Sequence, residues 1–248
     1  MLIALSPAKS LDFETNFMLS NKSSPIFLKD TQKLVAELKN FSIENLESLM
    51  NISKNLAKLN FERFQNFDQA KKRQAILAFD GDVYDGIDKK NYTIEDFKFA
   101  QNHLIILSGL YGFLRPLDEI SPYRLEMGTD FKKIRFISKN LYEFWGDKIT
   151  LEINKTESQY LINLASSEYF QSINRKICNK KIIDIIFKEK KGEIYKIIGI
   201  NAKRARGLMT NFIIKNRITH LNDLKDFKLE KYQFSSQYSD SNQLVFIR

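Results

Sequence analysis

Short apolar runs separated by polar or amphipathic stretches set the rhythm of this chain. Leu2–Leu5 is wholly apolar and stops at Ser6-Pro7, which predicts a buried strand running into a loop. Residues 14–30 are polar and irregular. From Asp30 onward, Leu34, Val35 and Leu38 recur at helical spacing, predicting an amphipathic helix capped by Asp30 or Thr31. Shorter helices are expected at 43–50 and 53–66. Arg73–Phe79 suits strand or helix and ends at the turn-rich DGDVYDG. A helix at 94–102 leads into a strand at 104–107; 141–151 reads as helical, and 160–164 as a strand stopped by ASS. Lys181–Lys188 and Glu193–Ile200 resemble two strands joined by KEKKGE; a long helix at 202–217 follows, and QLVFIR closes as a strand. Strands and helices interleave, so the fold class is mixed α/β. With no repeat, low-complexity linker or domain boundary in view, residues 1–248 read as one domain.

Composition sharpens this. At 43% apolar residues, with 20 Phe among 248, the chain can bury a sizeable core and is not a disordered polymer. No stretch approaches the roughly 18 unbroken apolar residues of a membrane span. The N-terminus lacks a basic segment and a small-residue cleavage site. A single cysteine, Cys178, excludes an internal disulfide and fits a reducing compartment. The expectation is a cytoplasmic protein without a membrane partner. The net charge of +9 is concentrated: Gln171–His220 holds thirteen Lys/Arg against three acids, a net of +10, leaving the rest of the chain at −1. Such asymmetry points to an anionic partner, nucleic acid first, or else to lysines decorating a solvated face.

Candidate chemistry gathers after the strands, where polar or charged loops follow: SPAKSLD, SGLYGFLRPLD, ASSEYF and NAKRARG. Ligands of α/β sheets settle beyond the carboxyl ends of strands, so if these strands are parallel neighbours, Lys9, Arg115, Ser166 and Lys203 face one crevice. The segment Leu107–Gly128 holds three glycines, two prolines, Arg115, Arg124, Asp118 and Glu126, and twenty irregular residues in a compact domain are usually functional. Arg115 and Arg124 suit forked contacts with phosphate, or else pin the loop by pairing with Asp118 and Glu126. Tyr111 and Tyr123 offer stacking surfaces, and Glu126, with Asp118, is the candidate general acid or base. His103, His220 and Cys178 are too few and too scattered for a metal site. No Walker loop and no G-x-G-x-x-G after a strand implies a cofactor. Cys178 reads as an inert buried thiol, and His103 as a polar helix-end residue.

Two further stretches bear on nucleic acid. In INAKRARGLMTNF, Ala205, Leu208, Met209, Phe212 and Ile213 form a buried stripe, while Lys203 and Arg206 fall on another face, with Arg204 beside them. With Asn201 as the cap, these cations crowd a helix N-terminus, where the dipole disfavours them unless an anion binds. In residues 43–66, two helices meet at Asn51, Ile52, Ser53 and Lys54, resembling a helix-hairpin-helix that holds a phosphate on backbone N–H groups, though without its usual glycines.

Six blocks together resemble one family across nearly the whole chain: LSPAKSLD, RQAILAFDGDVYDG, LSGLYGFLRPLDEISPYRLEMG, LYEFWGDKIT, INLASSEYF and AKRARGLMTNFIIKNRI. They are similar to the YaaA peroxide-stress resistance family. The resemblance implies protection against hydrogen peroxide linked to keeping free iron low and limiting DNA damage, DNA binding, an α/β fold with a basic cleft, and a helix-hairpin-helix-like element. It carries over no catalytic residue.

Overall fold

The computed structural model describes residues 1–17, 19–131 and 136–248; Met18, within the stretch expected to be irregular, lies outside the described residues. The first half runs β1 (Leu2–Leu5), β2 (Ser10–Leu11), α1 (Leu28–Leu38), α2 (Ile43–Met50), α3 (Lys54–Gln65), β3 (Arg73–Gln74), α4 (Ala75–Ala78) and β4 (Phe79–Asp80). Then come α5 (Ile94–His103), β5 (Leu104–Ser108), β6 (Gly112–Leu114), β7 (Glu119–Ile120), α6 (Leu141–Trp145) and α7 (Lys148–Asn154). The remainder comprises β8 (Tyr160–Leu164), α8 (Ser167–Phe170), β9 (Lys181–Lys191), β10 (Ile194–Lys196), α9 (Gly199–Lys215), β11 (Gln233–Phe234) and β12 (Gln243–Ile247).

The principal sheet has the order β11-β12-β9-β8-β1-β5-β6, with β10 hairpinned onto β9. Its five central strands, β12, β9, β8, β1 and β5, are all parallel, and β6 and β11 add antiparallel edges. This explains the unbroken apolar runs: β1 and β5 are buried on both faces, as parallel strands under helices must be. The register pairs Leu2 with Leu161 and Ile3 with Leu104. Helices pack around this layer through the residues their spacing predicted, Leu34, Val35 and Leu38 of α1 among them. The architecture is the mixed α/β fold expected.

Several expectations are corrected. Helix α1 starts at Leu28 with Phe27 as its cap, so Asp30 sits in the first turn, paired with Lys33 and Lys148, while the buried Thr31 hydroxyl donates to the Leu110 carbonyl. Residues 73–80 form strand, helical turn and strand in succession, because Arg73 and Gln74 pair with β7 before the wholly buried Ala75–Ala78. The helix expected at 141–151 is broken at Gly146, whose φ of 47° is closed to a helix. Leu107–Gly128 is largely built rather than irregular: it contains β6 and β7 and buries Leu110, Tyr111, Leu117 and Tyr123. The strand expected at 193–200 is only Ile194–Lys196, and α9 begins at Gly199. Among the described residues, no helix is long and apolar enough to cross a membrane.

A charged crevice at the switch point of the sheet

The chain leaves β1 for β5 on one side, whereas β8, on the other side of β1, continues outward to β9. The order therefore reverses between β1 and β8, and the loops beyond their carboxyl ends part to leave a crevice, the place where α/β sheets take ligands. Ser6 directly follows β1, and Ser166 stands two residues beyond β8. The Ser6 hydroxyl accepts from the Ser166 amide at 2.8 Å and lies 3.4 Å from the Ser166 hydroxyl. The Tyr84 hydroxyl donates to the Ser6 carbonyl at 3.1 Å, tying the turn after β4 to the same floor.

Helix α9 closes one wall. It crosses the 83–86 turn at two glycines: a Cβ on Gly207 would lie 1.8 Å from the Val83 carbonyl oxygen, and one on Gly86 would lie 2.6 Å from the Arg204 carbonyl oxygen. This close approach, impossible for any other residue pair, carries Lys203 and Arg206 to the crevice. The cavity, about 470 Å³, is lined by Ser6–Ser10, Asp80–Val83, Glu126, Ser166, Glu168, Tyr169, Lys203 and Arg206. An adjoining cavity of about 490 Å³ runs past Lys9, Arg124, Glu126 and Glu168 to Asn51.

Arg206 is half-buried, and desolvation draws its guanidinium below the usual arginine range. Among the described residues it has neither a hydrogen-bond nor an ion-pair partner. Lys203 is exposed and reaches Asp82 only at 3.5 Å. Glu126 lies between Lys9 at 2.7 Å and Arg124 at 2.9 Å, and the buried Nε of Arg124 has no partner among the described residues. Glu168 accepts the Gly128 amide at 2.9 Å and has no cationic partner among the described residues. Burial, reinforced by Tyr123, pushes the Tyr169 phenol up, so it stays neutral.

The structure thus brings together Lys9, Arg124, Glu126, Ser166, Lys203 and Arg206, and leaves others outside. Arg115 does not face the crevice: β6 turns back antiparallel to β5, and Arg115 grips the fully buried Asp118 at 2.9 Å and the Ser24 carbonyl at 3.2 Å. Asp118 also accepts the Ser23 hydroxyl at 2.6 Å and the Arg115 amide at 2.8 Å, which fixes the loop and leaves no access for a substrate. Arg204 points elsewhere, to Glu230 at 2.7 Å. Asn201 does not cap α9; the cap is Ile198, so Lys203 and Arg206 stand in the second turn rather than at the dipole's positive end. The crevice is also of mixed charge, since Asp80, Asp82, Glu126 and Glu168 line it beside the three cations. Sequence reasoning missed Glu168, Tyr169 and Asp82; the polar ASSEYF after β8 was the available signal for the first two.

At residues 43–66, α2 and α3 do form a tight helical hairpin. Asn51 takes the left-handed conformation, φ 49°, that a glycine would otherwise supply. Ile52 packs on the core, the Ser53 hydroxyl accepts the Leu56 amide at 3.4 Å, and Lys54 is exposed. Elsewhere, Cys178 is half-buried with its Sγ 3.9 Å from the Lys180 carbonyl oxygen, and His103 ends α5 with Nδ1 2.8 Å from the Met1 carbonyl oxygen.

These features define an α/β protein with a charged crevice at the switch point of its sheet. The chain belongs to the family described as peroxide stress protein YaaA, which matches residues 1–238. It is 48% identical over 256 residues to a UPF0246 protein of Saccharophagus degradans, covering all of this chain and 99% of that one. A UPF0246 protein of Teredinibacter turnerae is 47% identical with the same coverage, and one of Burkholderia cenocepacia is 46% identical over 258 residues, covering all of this chain and 98% of its own. Membership supports a role in peroxide stress.

Proposed function

We propose that this protein protects against hydrogen peroxide by binding DNA through its phosphates, without strong sequence preference, and so limits oxidative damage to it. The observation that carries this reading is Arg206. A half-buried guanidinium with no partner among the described residues bears an uncompensated desolvation cost, which an anion in the crevice offsets. Lys203 lies one helical turn before it. The exposed Lys190, Lys191 and Lys196 of the β9–β10 hairpin, which precedes α9 in the chain, are further cations that suit contact with flanking phosphates. The α2–α3 hairpin contributes Asn51 at the far cavity, which suits a helix-hairpin-helix-like phosphate contact. A link to limiting free iron is part of the same proposal and is implied only by the resemblance of the sequence blocks. Duplex binding measured by fluorescence anisotropy should weaken steeply from about 50 to 300 mM salt as counterions are released, and Arg206→Glu should abolish it. Salt-independent affinity would sink the reading.

A second reading, an enzyme acting on a nucleobase, nucleotide or DNA lesion, is favoured by the carboxylates of Glu126 and Glu168 in the crevice. The segment Leu107–Gly128 contributes only its last residues, Arg124 and Glu126 foremost, to such a site. Peroxide protection that survives Glu126→Gln but not Arg206→Glu excludes catalysis by Glu126.

A further inference from the structure

Arg206 and Glu168 line the same cavity of about 470 Å³, yet neither neutralises the other. Among the described residues the Arg206 guanidinium has no partner, and the Glu168 carboxylate is met only by the Gly128 amide. Opposite charges free to meet in a shared, partly desolvated space gain from pairing, unless the fold holds them at separate walls. Here it does: α9 is locked against the 83–86 turn by Gly86 and Gly207, and Glu168 is fixed on α8 by the Gly128 amide and by the Tyr142 hydroxyl, which donates to its carbonyl. In a lining of mixed charge, where Lys9 is committed to Glu126 and Lys203 makes only a long contact with Asp82, Arg206 stands out as an anion-seeking group and Glu168 as a donor-seeking one. The same cavity is lined by Ser6 and Ser166 and by the apolar and aromatic Pro7, Ala8, Val83 and Tyr169.

We propose that this crevice is a pocket for a single nucleotide, its phosphate held by Arg206 and Lys203 and its base or sugar donors by Glu168. A bare phosphate satisfies one group only; a nucleotide supplies an anion, a flat apolar body and N–H or O–H donors in one molecule. The volume lies within the roughly 300–1,000 Å³ typical of small-ligand sites. The inference deepens the DNA-binding reading and rests on it for one of two sources: the nucleotide is either free or turned out of a DNA strand.

Titration calorimetry with each deoxynucleoside monophosphate and with inorganic phosphate tests it. Saturable nucleotide binding at least tenfold tighter than phosphate is expected. Glu168→Gln should remove most of that margin while leaving phosphate binding unchanged, and Arg206→Gln should weaken both ligands at least tenfold. Lys203→Gln, on an exposed side chain, is the second variant should Arg206→Gln fail to fold. Equal affinity for phosphate and nucleotide, or no saturable binding of any nucleotide by the folded protein, overturns the inference. Duplex carrying 2-aminopurine separates the sources: a fluorescence rise on binding, reversed by free nucleotide, assigns the pocket to a strand nucleotide, and nucleotide binding without that rise assigns it to the free ligand. Salt-dependent duplex binding that persists when nucleotide binding is absent overturns the pocket and leaves the DNA reading intact; loss of duplex binding with nucleotide binding retained does the reverse.

Discussion

The two ends of α9 carry similar cations and treat them oppositely. At the far end, Lys215 and Arg217 both bind Asp96, at 3.0 and 2.6 Å, and that carboxylate is almost fully buried. Near the start, Arg206 has no partner among the described residues and Lys203 only a long contact with Asp82. The positive window found in the sequence is therefore not one feature. Part of it is paired within the chain: besides Lys215 and Arg217 on Asp96, Arg175 binds Asp184 and Arg204 binds Glu230 at the surface. Of the rest, Lys203 and Arg206 line the crevice, while Lys190, Lys191 and Lys196 are exposed on the β9–β10 hairpin. A cation whose counter-charge is supplied by the fold serves the fold; one left desolvated and unpaired costs stability and is retained for something else.

The comparison breaks most violently at Gly207, which holds the crevice end of α9 in place. Gly207→Ala drives a methyl into the Val83 carbonyl and should destabilise by about 3 kcal/mol, read as a large fall in thermal midpoint. Next comes the paired end. Asp96→Asn should cost about 2 kcal/mol, because a nearly buried carboxylate holding two cations is lost, yet DNA affinity should hold or rise. The same carboxylate predicts an acid limb. Burial opposes its ionisation, but hydrogen bonds from Thr93, Arg217 and Lys215 win and hold its pKa well below the ordinary value. Its folded pKa being depressed, the stabilisation is complete above about pH 4, the unfolded value, and drains away as pH falls toward the folded one. Chemical denaturation of wild type from pH 6 down to pH 2 should show that loss, and Asp96→Asn should flatten it.

Arg206→Gln should do the opposite of Asp96→Asn: stability rises by about 1 kcal/mol as an unpaired, desolvated charge is removed, while duplex affinity falls. Stability lost on this change would mean that Arg206 has a structural partner after all, and the contrast between the two ends would collapse.

How far the sequence revealed this can be judged at α9 itself. Its buried stripe of Ala205, Met209 and Ile213 was legible because helical periodicity reports burial directly. Its start was not. Ile194, Ile197 and Ile200 are 53, 55 and 64% exposed, so apolar character there does not signal a buried strand, and the reading misplaced the helix boundary and the dipole argument with it. Lys9, Ser166, Lys203 and Arg206 come to line one cavity because the loops beyond β1 and β8, and the helix following the β9–β10 hairpin, converge at a switch point. Arg115 was misplaced because the reversal of β6 is a fact of pairing, invisible in the run of residues. Glu168 went unnoticed because a lone acid on a short helix acquires meaning only when Arg206 is seen across the cavity.

The smallest effect is also the finest discriminator. Lys203→Ala and Lys215→Ala each remove one lysine from the same helix and alter net charge equally. If binding followed net charge alone, both would shift affinity alike. If phosphates sit at the crevice, Lys203→Ala should reduce the slope of log affinity against log salt by about one counterion. Lys215→Ala should leave that slope unchanged, because its charge is already committed to Asp96 and lies at the other end of the helix. Anisotropy titrations at four salt concentrations measure both slopes. Equal slopes for the two variants would return the thirteen cations to a diffuse, solvated surface and remove the crevice from the account of DNA binding.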